Sequence, residues 1–244
     1  MNYIVVIPAR LESTRLPEKL LIQVMGKTVL QRTYEQCLKA IPENKLYIAT
    51  DSKKIKKHSE MFTKNVIMTS SKCLTGTDRI AELAKQIEAD YYINVQGDEP
   101  LINPSDIKKV INKVELSGSS GAVFNGYSEI KNDDEYRSFS IPKVVMREDE
   151  RLLYMSRAPI PGNKSNIFQK SWKQICIYGF SRNALMDFSK RSNKTELEEQ
   201  EDIEILRFLE MGYEVNMIKL IGNSVAVDTP EDVERVKSIL ENDR

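Results

Sequence analysis

Short apolar runs alternate with stretches of helical periodicity along the first half of the chain, and each run ends where polar, proline or glycine residues begin. Tyr3 to Ile7, Lys45 to Thr50, Val66 to Met68 and Tyr91 to Val95 are the strands this pattern predicts. Between them, Val29 to Ala40 follows the capping residue Thr28, and Ser52 to Phe62 follows Asp51. Ile80, Leu83, Ala84 and Ile87 recur at i, i+3, i+4 and i+7, the apolar stripe of a third helix. Such alternation predicts an α/β fold, a mostly parallel sheet covered by helices.

Beyond Pro100, Asn103-Pro104 reads as an N-cap and first helical residue, and Gly121 to Tyr127 as a further strand. Residues near 128–172 are less regular. They include Asp133-Asp134-Glu135 and the loop Pro159-Ile160-Pro161-Gly162-Asn163, and predict an arm inserted into a single domain spanning 1–244. Regular alternation returns with a strand at Trp172 to Phe180, a helix at Leu197 to Met211 and a strand at Tyr213 to Leu220. In Asp228-Thr229-Pro230-Glu231-Asp232, Thr229 can cap a last helix, Pro230 suits its first turn, and the two acids favour its positive end.

Composition narrows the chemistry. With 244 residues, 41% of them hydrophobic, the chain can bury a substantial core, and 36 Lys+Arg balance 36 Asp+Glu. That balance speaks against a nucleic-acid partner, so any anion site is local. Three scattered cysteines without a CxxC spacing, and one histidine, argue against structural zinc. His58 lies in the lysine-rich stretch 53–58 and reads as part of a solvated helix face, which sets histidine catalysis aside. No apolar run approaches the roughly 20 residues that span a bilayer. The N-terminus runs directly into a core strand, so a cytoplasmic protein is expected, with the sequons at Asn163 and Asn193 unused.

In an open parallel sheet, ligands bind outside the carboxyl ends of the strands. The first such end continues into Pro8-Ala9-Arg10-Leu11-Glu12-Ser13-Thr14-Arg15-Leu16-Pro17-Glu18-Lys19, which places three cations and two hydroxyls in ten residues. Those cations repel one another unless an anion or carboxylates compensate, and a nucleoside triphosphate offers several oxygens to bridge them. Gly26-Lys27-Thr28 has the ending of a Walker A loop, but Leu21 occupies the position of its first glycine, and GxGxxG is missing as well. A second strand end, Val95-Gln96-Gly97-Asp98-Glu99-Pro100, offers a glycine for close backbone approach and an aspartate suited to phosphate-bound magnesium. A third, Ala226-Val227-Asp228, offers another aspartate that either shares the metal or caps the last helix.

These segments, together with Thr75-Gly76-Thr77-Asp78-Arg79, Leu153-Tyr154-Met155-Ser156-Arg157 and Val227-Asp228-Thr229-Pro230-Glu231-Asp232, run in order over nearly the whole chain. In that order they resemble the 3-deoxy-manno-octulosonate cytidylyltransferase (CMP-Kdo synthetase) family. The resemblance implies a Rossmann-like nucleotidyltransferase fold and a homodimer whose interface the central arm helps to build. It implies that Arg10, Ser13, Arg15 and Lys19 hold CTP while Thr77 and Arg79 line the nucleotide pocket. Asp98 and Asp228 would bind Mg2+, with Lys19, Arg10 and Asp98 carrying the catalysis. Gln96, Arg157, Tyr178 and Glu204 would face an acidic 2-keto-3-deoxy sugar, with Gln174 nearby.

Departures from the family fall on the acceptor side. Gln174 stands where a histidine is usual, Glu204-Ile205 where Glu-Gln is usual, and the arm reads Gly162-Asn163-Lys164 where a basic residue is usual. Exchanging a polar contact for isoleucine changes which hydroxylated ligand is accepted, so the nucleotide is more firmly implied than the sugar. Two rival readings are a nucleotide-sugar-dependent glycosyltransferase and a non-catalytic sensor of CTP or an acidic sugar. The first generally shows Asp-x-Asp after a middle strand, where this chain has Asp98-Glu99-Pro100.

Overall fold

The computed structural model describes residues 1–13, 15–118 and 122–242. Its strands are β1 (Tyr3–Ala9), the short pair β2 (Gln23–Val24) and β3 (Lys27–Thr28), β4 (Leu46–Thr50), β5 (Val66–Met68), β6 (Tyr91–Val95), β7 (Val123–Glu129), β8 (Lys143–Met146), β9 (Leu152–Ser156), β10 (Trp172–Ser181) and β11 (Val215–Lys219). The helices are α1 (Val29–Leu38), α2 (Lys53–Ser59), α3 (Gly76–Leu83), α4 (Pro104–Ser117), α5 (Asp133–Arg137), α6 (Arg182–Phe188), α7 (Glu196–Glu201), α8 (Ile205–Glu210) and α9 (Pro230–Asn242). The expected strand beginning at Gly121 is present from Val123; Gly121 itself, like Thr14 of the first loop, lies outside the described residues.

Alternation along the strands builds two cores. In β1, Val5 and Ile7 enter one and Ile4 and Val6 the other, because successive side chains point to opposite faces. α1, α4 and α9 cover the first face through Leu30, Val110 and Val236; α3, α6 and α8 cover the second through Ile80, Leu185 and Phe208. The main sheet runs β11-β7-β10-β6-β1-β4-β5. β1, β4, β5 and β6 pair in parallel, as do β7 and β11, whereas β10 is antiparallel to both of its neighbours. The expected mostly parallel sheet with helices on both faces is therefore what the chain forms.

Local chemistry accounts for the helix starts. Asn103 caps α4 ahead of Pro104, and Thr75 with Asp78 forms a reciprocal capping box on α3. Ser52, not Asp51, caps α2, its side chain accepting from the Ile55 N–H. Asp51 is left to pair with Arg79 at 3.2 Å.

Four expectations need correction. The stretch Leu197 to Met211 is two short helices, broken where Asp202 takes a left-handed φ of 51°. Periodicity alone carried no sign of that break. The strand expected to end in Ala226-Val227-Asp228 does not form, since β11 ends at Lys219 and residues 220–228 lie in no strand. His58 is not on a solvated face: its Nε2 meets Thr28 Oγ1 at 2.8 Å and its ring packs on Phe62. Finally, the segment 128–172 contains the antiparallel pair β8–β9, with β8 joined to β10. Inside this segment Lys143 is fully buried and donates to the carbonyl oxygens of Ser138, Ile141 and Arg157. Burial, aided by the Arg157 charge, holds its pKa down to about 8.

Buried charges lock the second face. Arg207 is fully buried, forks onto Glu198 at 2.5 and 2.7 Å, reaches Asp78 at 3.1 Å and stacks over the Phe188 ring. One guanidinium thereby ties α8 to α7 and to α3. Replacing it with leucine strands two carboxylates in the core. We expect Arg207→Leu to lose about 3–5 kcal/mol in urea unfolding; a loss below about 1 kcal/mol would mean the network contributes little. Glu99, just beyond β6, is only 7% exposed, and burial, then repulsion from Asp98, pushes its pKa up to about 7. Raised above the unfolded carboxyl value, this group contributes stability that is complete below the unfolded pKa and lost as pH rises through about 7. Glu99→Gln is therefore expected to exceed the parent in stability at pH 8 and to lose that advantage by pH 5. Parallel stability-against-pH curves would contradict it.

Candidate active site

The carboxyl ends of β1 and β6 open onto one cavity of about 260 Å³. Pro8, Ala9 and Arg10 line it from β1, and Gln96, Gly97 and Asp98 from β6. Gly97 is dictated by proximity: a Cβ there would lie 3.1 Å from the Pro8 carbonyl oxygen and 3.3 Å from Ile7 Cγ2. Thr33 Oγ1 donates to the Gly97 carbonyl at 3.0 Å and fixes the turn from beneath.

Lys19 opens a short 3-10 turn whose Leu20 is buried, and this anchor brings the loop after β1 back over β6. Its ammonium donates to Asp98 Oδ2 and, at 2.8 Å, to Asp228 Oδ1; Arg15 reaches the same Asp228 oxygen at 3.0 Å. Burial opposes the charge on Lys19, yet the two carboxylates outweigh it and raise its pKa above the ordinary lysine value. Asp228 is not a helix cap. Thr229 and Asp232 cap α9 reciprocally, leaving the Asp228 carboxylate for the cations. The two aspartates expected to converge thus meet on one nitrogen, Asp98 from the end of β6 and Asp228 from a segment that is no strand.

The donor set suits magnesium. Two hard carboxylates stand close together, partly exposed at 22% and 29%, and among the described residues no group of three or more His, Cys, Asp or Glu side chains forms a metal cage alone. Magnesium is commonly held by one or two carboxylates, with phosphate oxygens and water completing its shell.

The opposite wall comes from α3 and the α7–α8 junction. Glu204 accepts from the Gly76 and Thr77 N–H groups at 3.1 and 2.9 Å and from Thr77 Oγ1 at 2.5 Å, placing its charge on the positive end of α3. Burial raises its pKa while those bonds oppose the rise. Arg79 lines the cavity with its guanidinium held by Thr69 Oγ1 at 2.6 Å and by Asp51. Thr77 is 1% exposed and acts by holding Glu204.

Not every expected residue reaches the cavity. Ser13 lies with Glu12, Pro17 and Glu18 in a separate surface hollow that shares only Arg10 with the main one. Arg157 donates to the carbonyl oxygens of Glu201, Phe139 and Asp202 at 2.6, 3.1 and 3.0 Å, so its fork faces backbone rather than a free anion site. Gln174 bonds Asn125, and Tyr178 is packed in the second core, 7% exposed, with burial, then Cys176 and Glu204, raising its hydroxyl pKa well above the ordinary value. Conversely, Lys194 and Asp202 line the cavity, paired at 2.9 Å, although neither follows a strand. Only their places just before the α7 cap and at the helix break single them out, and the rule of strand ends passes over both.

Residues 4–221 match the family model described as cytidylyltransferase. The 3-deoxy-manno-octulosonate cytidylyltransferase of Chloroherpeton thalassium is 39% identical, with 98% of each chain covered. Its counterpart from Protochlamydia amoebophila is 37% identical over 96% of this chain and 93% of its own. A solved structure of CMP:2-keto-3-deoxy-manno-octonic acid synthetase complexed with CTP superposes with a TM-score of 0.92 at 31% identity, covering 100% of both chains. The strand-end cavity, its paired aspartates and this full-length similarity lead to one conclusion: the chain belongs to the 3-deoxy-manno-octulosonate cytidylyltransferase family of nucleotidyltransferases.

Proposed function

We propose that the protein is a magnesium-dependent cytidylyltransferase that joins CTP to the anomeric hydroxyl of a 3-deoxy-2-ulosonic acid, giving a CMP-sugar and pyrophosphate. The observation that carries this reading is the meeting of Asp98 and Asp228 on Lys19 at the edge of the strand-end cavity. CTP use by the related synthetase supports the choice of nucleotide.

The chemical problem is charge. Two anionic reactants must approach, and negative charge grows on the oxygen that leaves with pyrophosphate. Arg10, Arg15 and Lys19 stand on one loop and can spread their positive charge along the triphosphate, with Lys19 already 84% shielded from solvent. Asp98 and Asp228 would hold magnesium, which when bound polarises the α-phosphate and makes the attacking hydroxyl more acidic. Gly97 admits the ligand close to backbone, and Thr77, through Glu204, keeps the wall at α3 in place. Of the expected acceptor-side residues, Gln96 and Glu204 line the cavity directly. In the overall step the sugar oxygen bonds the α-phosphorus, the bond from that phosphorus to the β-bridging oxygen breaks, and the hydroxyl proton leaves.

The same reading assigns a homodimer joined through the segment 128–172, on which Phe139, Leu153 and Ile167 are 68%, 55% and 61% exposed. It also assigns a cytoplasmic location; among the described residues no helix is long and apolar enough to cross a membrane.

Pyrophosphate release tests the reaction: it should require CTP, magnesium and an ulosonic acid together, and release without the sugar would contradict it. Asp98→Asn is expected to lower kcat by at least about 100-fold with an unchanged unfolding curve. Near-parental turnover in magnesium would remove Asp98 from the metal site. Lys19→Ala should raise the KM for CTP about tenfold or more while the sugar KM stays within about twofold. Superimposable CTP saturation curves for variant and parent would refute the grip.

A further inference from the structure

Two charged side chains of the cavity wall stand apart from the strand ends: Lys194, just before the cap of α7, and Asp202, at the break between α7 and α8. Lys194 Nζ donates to Asp202 Oδ1 at 2.9 Å and lies 3.9 Å from Glu199 Oε2. The three groups are unequally wet. Lys194 is 23% exposed, whereas Asp202 and Glu199 are 74% and 71% exposed. Burial opposes the ammonium charge, yet Asp202 and then Glu199 outweigh it and raise the lysine pKa. The cation therefore depends on a neighbouring anion, while the carboxylates, hydrated over most of their surface, lose little when the pair opens.

That asymmetry makes the pair exchangeable. A carboxylate entering the cavity can replace Asp202 at the ammonium, and Asp202 turns to water. Its backbone need not follow, because the Asp202 carbonyl is held separately by Arg157 Nη2 at 3.0 Å. The other basic side chains that line the cavity, among the described residues, are already engaged or stand on the triphosphate loop. Lys19 joins Asp98 to Asp228, and Arg79, 4% exposed, is held by Asp51 and Thr69. Arg10 belongs with Lys19 and Arg15 to the loop assigned to the nucleotide. Arg157 spends Nε, Nη1 and Nη2 on backbone carbonyls. An acidic acceptor brings a second anion into the cavity, and Lys194 is the cation there whose present partners give way most easily.

We infer that Lys194 binds the carboxylate of the acceptor sugar acid, and that Asp202 occupies its ammonium until that carboxylate arrives. This rests on the cytidylyltransferase reading and names a residue for the acidic end of its second substrate. Asp202 is then a competitor for the site and not a support of it, so the two residues oppose one another in acceptor binding.

Steady-state kinetics of pyrophosphate release provide the test, with CTP and the ulosonic acid varied separately. Lys194→Ala should raise the acceptor KM about tenfold and leave the CTP KM within about twofold. Lys194→Arg keeps the charge and should recover most of that loss. Asp202→Asn removes the competing charge while keeping a residue type that tolerates the left-handed backbone at this position, and should lower the acceptor KM about two- to fivefold. Opposite signs at the two positions distinguish ligand binding from a merely structural ion pair, whose halves would fail in the same direction. An unchanged acceptor KM in Lys194→Ala, an equal or larger rise in its CTP KM, or an acceptor KM at or above the parental value in Asp202→Asn would overturn the inference. Should the alanine variant not fold, Lys194→Gln carries the same comparison, and a parental acceptor KM there is refutation. A parent enzyme releasing no pyrophosphate with CTP and any ulosonic acid would overturn the activity and this inference together; an active parent indifferent to Lys194 would overturn the inference alone.

Discussion

A single ammonium between two carboxylates organises the catalytic end of this molecule. Asp98 and Asp228 arrive from the end of β6 and from the segment before α9, 130 residues apart in the chain. Like charges so close repel, and Lys19 makes their approach favourable while its own burial is offset by both. Main chain reinforces the junction, since the Val227 N–H donates to the Asp98 carbonyl at 2.8 Å. The loop after β1, the end of β6 and the start of α9 are therefore one electrostatic unit. A chain with no net charge can hold a local anion site in this way: its cations are balanced nearby by carboxylates able to take another cation.

The wall facing that unit is also held by charge. Glu204 sits on the exposed N–H groups at the start of α3, Asp78 closes the cap of the same helix, and Arg207 links Asp78 to Glu198. Each buried carboxylate has a donor, which is the condition under which burial of charge is tolerated. The geometry requires the chain to turn at Asp202, because an unbroken helix from Leu197 to Met211 would carry Glu204 on a continuous surface instead of delivering it to α3. The helix break and the cavity wall have the same cause.

The cationic loop after β1 and the polar groups of the sheet differ in kind. In the proposed reading the cations of the loop after β1, Arg15 exposed and Lys19 shielded, would face the triphosphate, where attraction is long-ranged and tolerant of geometry. Gln174, Asn125 and Tyr178 are instead embedded in the sheet, where hydrogen bonds are short-ranged and directional.

Much of this architecture is legible in the order of residues alone. Strand alternation and capping chemistry are local properties, and they identify β1, β5, β6, the start of α4 and the start of α9 closely. Strand ends followed by Arg10, Lys19 and Asp98 mark the cavity for the same reason, since a parallel sheet collects those ends on one side, whereas Asp228 arrives on a segment that forms no strand. What local pattern cannot contain is pairing between distant segments. Whether Asp228 caps its helix or meets Lys19, whether Arg157 points at a ligand or at backbone carbonyls, and where Lys194 and Asp202 go depend on neighbours tens to hundreds of residues away. The β8–β9 pair escaped detection because strands whose partners are supplied elsewhere need no strong alternation of their own. Composition, spacing and caps determine which elements form; the packing of one element against another determines which of their charges meet, because electrostatic and hydrogen-bond partners are chosen by distance in space and not along the chain.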